Sequence, residues 1–144
     1  MNDDTILACP ACNRKNRVAS SRLAEKPTCG ACKQPLFNGK PVALTARALA
    51  NHAQAELPLI IDFWAPWCGP CRQFAPVFEQ AAAELEPRAR LAKVDTEAEP
   101  ALATQYGIRS IPTLVIMRQG KEIARLAGAL PPAQFRQWVN QHLT

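Results

Sequence analysis

From residue 41 onward, the apolar positions alternate between the short unbroken runs of buried strands and the 3.6-residue period of amphipathic helices. Predicted strands cover residues 41–45, 59–64, 90–95, 113–117 and 122–126. Predicted helices cover residues 46–55, 72–86 and 97–106, and a last helix begins at Pro131-Pro132. The turn 118–121 joins the last two strands into an antiparallel hairpin. This order predicts an α/β fold, a mixed five-stranded sheet with helices on both faces.

The first forty residues differ, because they contain few large apolar side chains and four cysteines. Cys9 and Cys12 form one Cys-x-x-Cys pair, Cys29 and Cys32 form the other, and sixteen residues separate the pairs. This spacing is typical of a zinc ribbon, in which two turns present four thiolates to one tetrahedral ion. Four sulfur ligands leave no open position, so we expect a structural zinc ion. Two redox pairs or two disulfides are the alternatives.

Turn-forming residues mark the end of this segment. The sequence Asn38-Gly39-Lys40-Pro41 predicts a domain boundary, which gives a zinc-binding module over residues 1–40 and a second domain over residues 41–144. We expect Asn13 and Gly30 to adopt the partly left-handed backbone that tight cysteine turns require.

Composition and charge narrow the classes of function. The formal net charge is +5, of which +4 falls on residues 1–40, where seven Lys or Arg face three Asp or Glu. Four zinc-bound thiolates would lower the module's charge to about +2, so we expect no nucleic-acid partner. The apolar runs are too short to cross a bilayer, and Met1-Asn2-Asp3-Asp4 does not open a secretory signal. Without export, six cysteines are unlikely to form three structural disulfides. We also expect a monomer.

Cys68 and Cys71 lie between the predicted strand 59–64 and the helix that follows it. Unpaired N–H groups and the helix dipole at a helix N-terminus favour a thiolate, so we expect a lowered pKa for Cys68. Two cysteines at this spacing can close a disulfide and open it again, which indicates a redox centre. A second metal site is the alternative, although two ligands alone support it poorly. We expect an exposed Cys68 to attack a substrate disulfide and a more buried Cys71 to resolve the mixed disulfide.

Asp62 is a carboxylate inside an apolar strand. Such a residue often points to the surface, but the apolar flanks on both sides favour a partly buried carboxyl with a raised pKa. A group of this kind could accept the Cys71 proton as a general base. Lys93 on the next strand either lies near Asp62 and tunes it, or is an ordinary solvated lysine.

Several separated motifs, in this order, resemble the thioredoxin family: Asp62-Phe63-Trp64-Ala65-Pro66-Trp67-Cys68-Gly69-Pro70-Cys71, Pro76, Tyr106-Gly107-Ile108-Arg109-Ser110-Ile111-Pro112-Thr113 and Gly128. The resemblance covers residues 41–144, and the extension ahead of them is similar to that of the zinc-carrying thioredoxin 2 group of bacteria. It implies a thioredoxin fold and a cytoplasmic reductase of protein disulfides. It also implies that thioredoxin reductase supplies electrons from NADPH, with no organic cofactor bound to this chain.

The resemblance further implies roles for residues around the dithiol. A cis Pro112 would leave the Ile111 backbone free to pair with an extended substrate. Trp67 would provide a flat apolar contact, and Gly128 would let a substrate chain approach closely, unless it is only a bulge in the second hairpin strand. Gly69-Pro70 between the cysteines is similar to the reducing members of the superfamily. A thiol oxidase or isomerase, and a zinc-dependent binding module, are the competing functions.

Overall fold

The computed structural model describes residues 3–143, which form two sheets and four α-helices. The chain begins with an antiparallel hairpin of β1 (Asp4–Ala8) and β2 (Lys15–Ala19), followed by a 3-10 turn at Ser20–Arg22. The elements of the larger unit are then β3 (Val42–Ala43), α1 (Ala46–Ala53), β4 (Leu59–Trp64), α2 (Gly69–Leu85), β5 (Arg90–Asp95), α3 (Pro100–Gln105), β6 (Thr113–Arg118), β7 (Lys121–Ala127) and α4 (Pro132–His142).

The larger sheet confirms the predicted mixed topology. Its strand order is β3-β5-β4-β6-β7. Strands β3, β5 and β4 are parallel, β6 is antiparallel to β4, and β7 is antiparallel to β6. Apolar side chains of α1 and α3 pack on one face and those of α2 and α4 on the other. Along the central strand β4, Ile61 and Phe63 join the first cluster and Ile60 joins the second. Because successive strand residues alternate between faces, Asp62 points to the face that α2 and α4 cover.

The second and third helices start at other residues than predicted, although the first helix starts at Ala46 as predicted and the bounds of β4 and β5 also match. The second helix begins at Gly69 rather than at residue 72, because the Cys68 sulfur caps it and Pro70 is tolerated in a first helical turn. The third helix begins only at Pro100. Asp95 accounts for the delay, since its Oδ1 accepts hydrogen bonds from the N–H groups of Glu97 and Ala98 and holds those residues in a turn.

The N-terminal segment packs against the end of the larger sheet where β4 begins. The Ile6 N–H donates to Glu56 Oε1 (2.8 Å), and the Ile6 carbonyl accepts from the N–H groups of Glu56 (2.9 Å) and Leu57 (3.3 Å). Leu57 is buried together with Leu7 and Leu36 of the segment. Six-residue β4 spans about 16 Å, and Cys68 follows its far end, so the segment and the dithiol lie at opposite ends of the sheet.

Candidate active site and metal centre

The dithiol lies where β4 gives way to α2. Cys68 is the N-cap of α2, and it forms a disulfide with Cys71 in the first helical turn. The Cys71 N–H donates to the Cys68 Sγ (3.2 Å), and the carbonyl oxygen of Ile111 lies 3.9 Å from the same sulfur. The sulfur of Cys68 therefore occupies the position where helix N–H groups stabilise negative charge best.

The expectation that Cys68 is exposed was wrong for this oxidised form. Cys68 is only 4% exposed, against 2% for Cys71. The physical reason is that both cysteines pack with Ala65, Trp64 and Ile111, the last of which comes from a loop distant in sequence. A large apolar side chain that is exposed at this end is Trp67, at 68%.

Asp62 is fully buried behind this region of the sheet. Burial raises the pKa of its carboxyl from 3.8 to about 7, and the charge of Lys93 opposes that rise. Neither carboxylate oxygen has a hydrogen-bond partner within residues 3–143. Lys93 is the cross-strand partner of Asp62 in the β4–β5 pair, and its Nζ lies 4.3 Å from the centroid of the Trp64 ring. Of the two alternatives for Lys93, the structure therefore shows a lysine beside Asp62.

Two loops from the other half of the sheet meet beside the disulfide. The Ile111–Pro112 peptide bond is cis, and Pro112 is buried while Ile111 is partly exposed. The Gly128 N–H donates to the Pro112 carbonyl (2.8 Å). Gly128 lies just beyond β7 rather than inside it, and its φ of +104° is a conformation that L side chains rarely adopt. Gly69 and Pro70 belong to the first turn of α2, where Pro70 is exposed.

The four cysteines of the N-terminal segment are free, and their sulfurs all lie within 4.8 Å of one another. The Cys9 and Cys32 sulfurs are 3.6 Å apart, and those of Cys12 and Cys29 are 3.7 Å apart. Zinc–sulfur bonds of about 2.3 Å in a tetrahedron place the sulfurs roughly 3.8 Å from one another. The donor set and its spacing therefore fit a tetrahedral zinc ion.

Main-chain N–H groups surround the first sulfur of each pair. Cys9 Sγ accepts from the N–H groups of Ala11 (3.3 Å) and Cys12 (3.5 Å). Cys29 Sγ accepts from the Ala31 N–H (3.4 Å) and from Asn16 Nδ2 (3.5 Å). Hydrogen bonds from the Cys32 N–H, then Asn16 and Ala31, lower the pKa of Cys29 to about 6, whereas the pKa of Cys32, against a hydrogen bond from the Gln34 N–H, is raised by burial and the three other thiols.

The two cysteine turns have the same backbone form, although one predicted residue was wrong. Asn13, directly after Cys12, has a φ of +67°, as expected. In the second turn the matching residue is Lys33, also at +67°, whereas Gly30 is not left-handed. Gly30 instead donates its N–H to Asn16 Oδ1 (2.9 Å), so its place is fixed by a hydrogen bond from β2.

Sequence reasoning missed Asn16 and Arg90. Arg90 opens the apolar strand β5 yet is only 2% exposed. A charged residue at the start of a buried strand was the available signal, and the same signal drew attention to Asp62. No comparable signal pointed to Asn16, because an Asn in an exposed hairpin strand is common.

Comparison with known proteins identifies the family to which this chain belongs. The family model described as thioredoxin matches residues 40–141, and the model for the thioredoxin 2 N-terminal region matches residues 8–34. The chain belongs to the thioredoxin family. It is 44% identical over 139 residues to thioredoxin C-3 of Corynebacterium nephridii, covering 96% of this chain and 95% of that protein. It is also 45% identical over 89 residues to thioredoxin 1 of a Nostoc strain, covering 62% of this chain and 83% of that protein.

Solved structures show the same likeness for the larger sheet and its helices. A thioredoxin of Malassezia sympodialis superposes with a TM-score of 0.66 at 30% identity, covering 71% of this chain and 90% of that one. A point mutant of thioredoxin from Halobacterium salinarum gives a TM-score of 0.68 at 28% identity, covering 75% and 95%. Family membership and the Cys68–Cys71 disulfide together make this chain a disulfide reductase of the thioredoxin type. None of the helices in residues 3–143 combines the length and apolar character that a bilayer crossing needs.

Proposed function

We propose that this thioredoxin reduces disulfides in other proteins through Cys68 and Cys71, with a structural zinc ion held by its N-terminal module. The observation that carries the proposal is the Cys68 sulfur at the N-cap of α2. It accepts the Cys71 N–H and is bonded to the Cys71 sulfur. A thiolate there is stabilised by the helix terminus, and a second thiol stands within bonding reach.

The proposed reaction is two thiol–disulfide exchanges in sequence. In the reduced protein the Cys68 thiolate attacks one sulfur of a substrate disulfide, and the other substrate sulfur leaves as a thiolate. The Cys71 thiolate then attacks the Cys68 sulfur, which closes the Cys68–Cys71 disulfide and releases the second substrate sulfur. Two electrons pass from the dithiol to the substrate. The disulfide in this structure corresponds to the product of that cycle.

We assign the proton of Cys71 to Asp62. A carboxyl whose pKa is raised to about 7 by burial is matched to neutral pH, where it can accept a proton as readily as it gives one up. Asp62 lies on the sheet face that α2 covers, the helix that carries Cys71. Lys93 tunes this base, because its charge favours the ionised carboxylate across the strand pair.

We place the substrate chain along the loops beside Cys68. The exposed Trp67 offers an apolar face, and the partly exposed Ile111 offers main-chain groups for an extended segment. Pro112 and Gly128 are joined by a hydrogen bond and hold that loop in place. Gly69 and Pro70 complete the surface on the helix side.

The remaining parts of the proposal concern organisation. The chain divides into a zinc module over residues 1–40 and a thioredoxin domain over residues 41–144. Cys9, Cys12, Cys29 and Cys32 hold the zinc, whose chemistry there is to cross-link two turns that have too little apolar surface to fold alone. Reducing equivalents come from NADPH through a thioredoxin reductase. The protein works as a monomer in the cytoplasm, without nucleic-acid or membrane partners.

A Cys71→Ser variant tests the assignment of the two sulfurs. It should form mixed disulfides with substrate proteins at Cys68 and lose turnover in insulin reduction, because no second thiol remains to release the substrate. The matched control is Cys68→Ser, which should trap nothing. Undiminished insulin reduction by Cys71→Ser, or equal trapping by both variants, would contradict the proposal.

A further inference from the structure

A buried arginine of the larger sheet reaches into the N-terminal segment. Arg90 Nη2 donates to the carbonyl oxygens of Ala8 (3.1 Å) and Leu36 (2.6 Å). Ala8 directly precedes Cys9, and Leu36 follows the turn that contains Cys32. One guanidinium nitrogen therefore bonds the main chain next to Cys9 and the main chain four residues after Cys32.

The other side of the same guanidinium is also fixed. Arg90 Nη1 donates to Glu86 Oε2 (2.7 Å), and Glu86 Oε1 accepts the Gly39 N–H (2.7 Å). The guanidinium lies 5.0 Å from the centroid of the Phe37 ring. Both side chains of the ion pair are almost fully buried, at 3% and 4% exposure. A charge buried to this degree is retained only where its partners are in place.

The positive charge of Arg90 is also relevant to the four-cysteine cluster. A zinc ion with four thiolates would carry a net charge of −2, and positive charge nearby stabilises a partly buried anion of that kind. The pKa of Arg90 is lowered by burial, while the charges of Glu86 and Cys9 raise it again. Arg90 Nη2 bonds the Ala8 carbonyl directly before Cys9, so the guanidinium lies near enough to offset part of the charge of the cluster.

Helix α1 makes an independent contact with the first cysteine turn. Asn51 Nδ2 donates to the Asn13 carbonyl (2.8 Å), and His52 Nε2 lies 3.1 Å from Asn13 Oδ1. Asn13 is the left-handed residue that follows Cys12. The larger unit therefore holds this turn on both sides, at Ala8 through Arg90 and at Asn13 through α1.

We propose that Arg90 is a positioning residue of the zinc site, so that the metal is retained by the thioredoxin domain as well as by its four cysteines. This inference rests on the zinc site in the proposed function and assigns it an outer layer of hydrogen bonds. Such outer partners orient the ligands and change metal affinity when they are removed. By linkage, zinc binding and docking of the N-terminal segment on β5 strengthen each other.

The test is the rate at which the full-length, reduced protein transfers zinc to an excess of the chelator 4-(2-pyridylazo)resorcinol. The variant Arg90→Met with Glu86→Gln removes the guanidinium without leaving a buried carboxylate unpaired, and Gln can still accept the Gly39 N–H. We expect zinc transfer at least about tenfold faster than in the wild type. The matched control is Arg125→Met, since exposed Arg125 also bonds a glutamate, Glu122, and the carbonyls of Tyr106 and Gly107. Its rate should equal that of the wild type.

Arg90→Lys provides a second test that keeps the charge and removes the fork of donors. We expect an intermediate acceleration of zinc transfer, together with a smaller zinc-dependent rise in the thermal unfolding midpoint than in the wild type. A wild-type transfer rate in Arg90→Lys would overturn the inference, whether or not the double variant folds. A wild-type protein purified under reducing conditions without zinc would instead defeat the zinc site itself, so the two failures are distinguishable.

Discussion

At one end of the central sheet Cys68 and Cys71 pair with each other, whereas at the other end two Cys-x-x-Cys turns face one another and their cysteines stay free. In both places the first sulfur accepts a main-chain N–H from within its own turn. What differs is the backbone after the second cysteine. It continues as the helix α2 after Cys71, but reverses through left-handed Asn13 and Lys33 after the other pairs.

This difference shows why equal spacing leads to different chemistry. A continuing helix carries the chain away, so its two sulfurs have only each other as partners. A reversed turn lets a second turn approach, and four sulfurs then meet at metal-binding distances. The Cys-x-x-Cys spacing alone predicts a pair of neighbouring thiols. The backbone after the second cysteine determines whether that pair stands alone or meets a second pair.

The largest expected effect comes from removing one thiol of the four-cysteine cluster. Cys29→Ser should abolish stoichiometric zinc binding, because structural zinc sites with four ligands contribute about 10–16 kcal/mol of apparent binding energy that depends on a complete set. Metal analysis and hydrogen exchange of β1 amides would show loss of zinc and of protection. The control is the double variant Cys68→Ser with Cys71→Ser, which should keep its zinc. Zinc retained in Cys29→Ser, or lost in that control, would contradict the distinction between the four-cysteine cluster and the Cys68–Cys71 pair.

The variant Asp62→Asn tests the raised pKa of Asp62 through the pH dependence of protein stability. The pKa of Asp62 is about 7 in the folded protein against an ordinary 3.8, so the contribution of Asp62 to stability is greatest below about pH 4 and falls until the pH passes about 7. Between pH 5.5 and 8.5 this fall amounts to about 2 kcal/mol, and the variant should lack it. Urea unfolding of the oxidised proteins measures the slope, and exposed Glu97→Gln is the control carboxyl.

The same variant should also slow turnover at neutral pH, by at most about 10²-fold, the lower end for loss of a general base. Insulin reduction measures this effect. Identical pH dependence of stability in Asp62→Asn and wild type would show that Asp62 is not the group that titrates.

The smallest expected effect comes from Lys93→Met. Because the charge of Lys93 lowers the pKa of Asp62, its removal should move the pH midpoint of the Asp62-dependent fall in stability upward. The same urea series measures this midpoint. Lys121→Met, which changes an exposed lysine at the start of β7, should leave the midpoint unchanged. A downward shift in Lys93→Met would contradict the assigned coupling.

Local pattern was sufficient for the sheet but not for the capping and burial around each site. Strands β4 and β5 have the predicted bounds, because apolar runs between turn residues specify them directly. The start of α2 was misplaced, because its cap is a sulfur and Gly69-Pro70 is typical of a loop. The exposure of Cys68 was misjudged because Ile111, which covers it, is 43 residues away along the chain.

Arg90 shows the same limit more strongly. Its carbonyl partners lie 82 and 54 residues away, in a segment whose position follows only from the assembled fold. A strand pattern gives the face of a residue, yet it contains no information about which distant main-chain group will meet that side chain. The four-cysteine cluster could be predicted because all four cysteines belong to one short, strongly constrained spacing.

The length of the paired strands β4 and β5 also keeps the dithiol apart from the four other cysteines. The dithiol follows Trp64, whereas Arg90, the register partner of Leu59, bonds the carbonyl of Ala8 next to Cys9, so the length of β4, about 16 Å, lies between the two sites. A disulfide requires Cα atoms within about 7 Å. No catalytic cycle can therefore cross-link Cys68 to a ligand cysteine while the chain stays folded. Within one folded molecule, the dithiol is thereby restricted to exchange with a disulfide that another molecule presents.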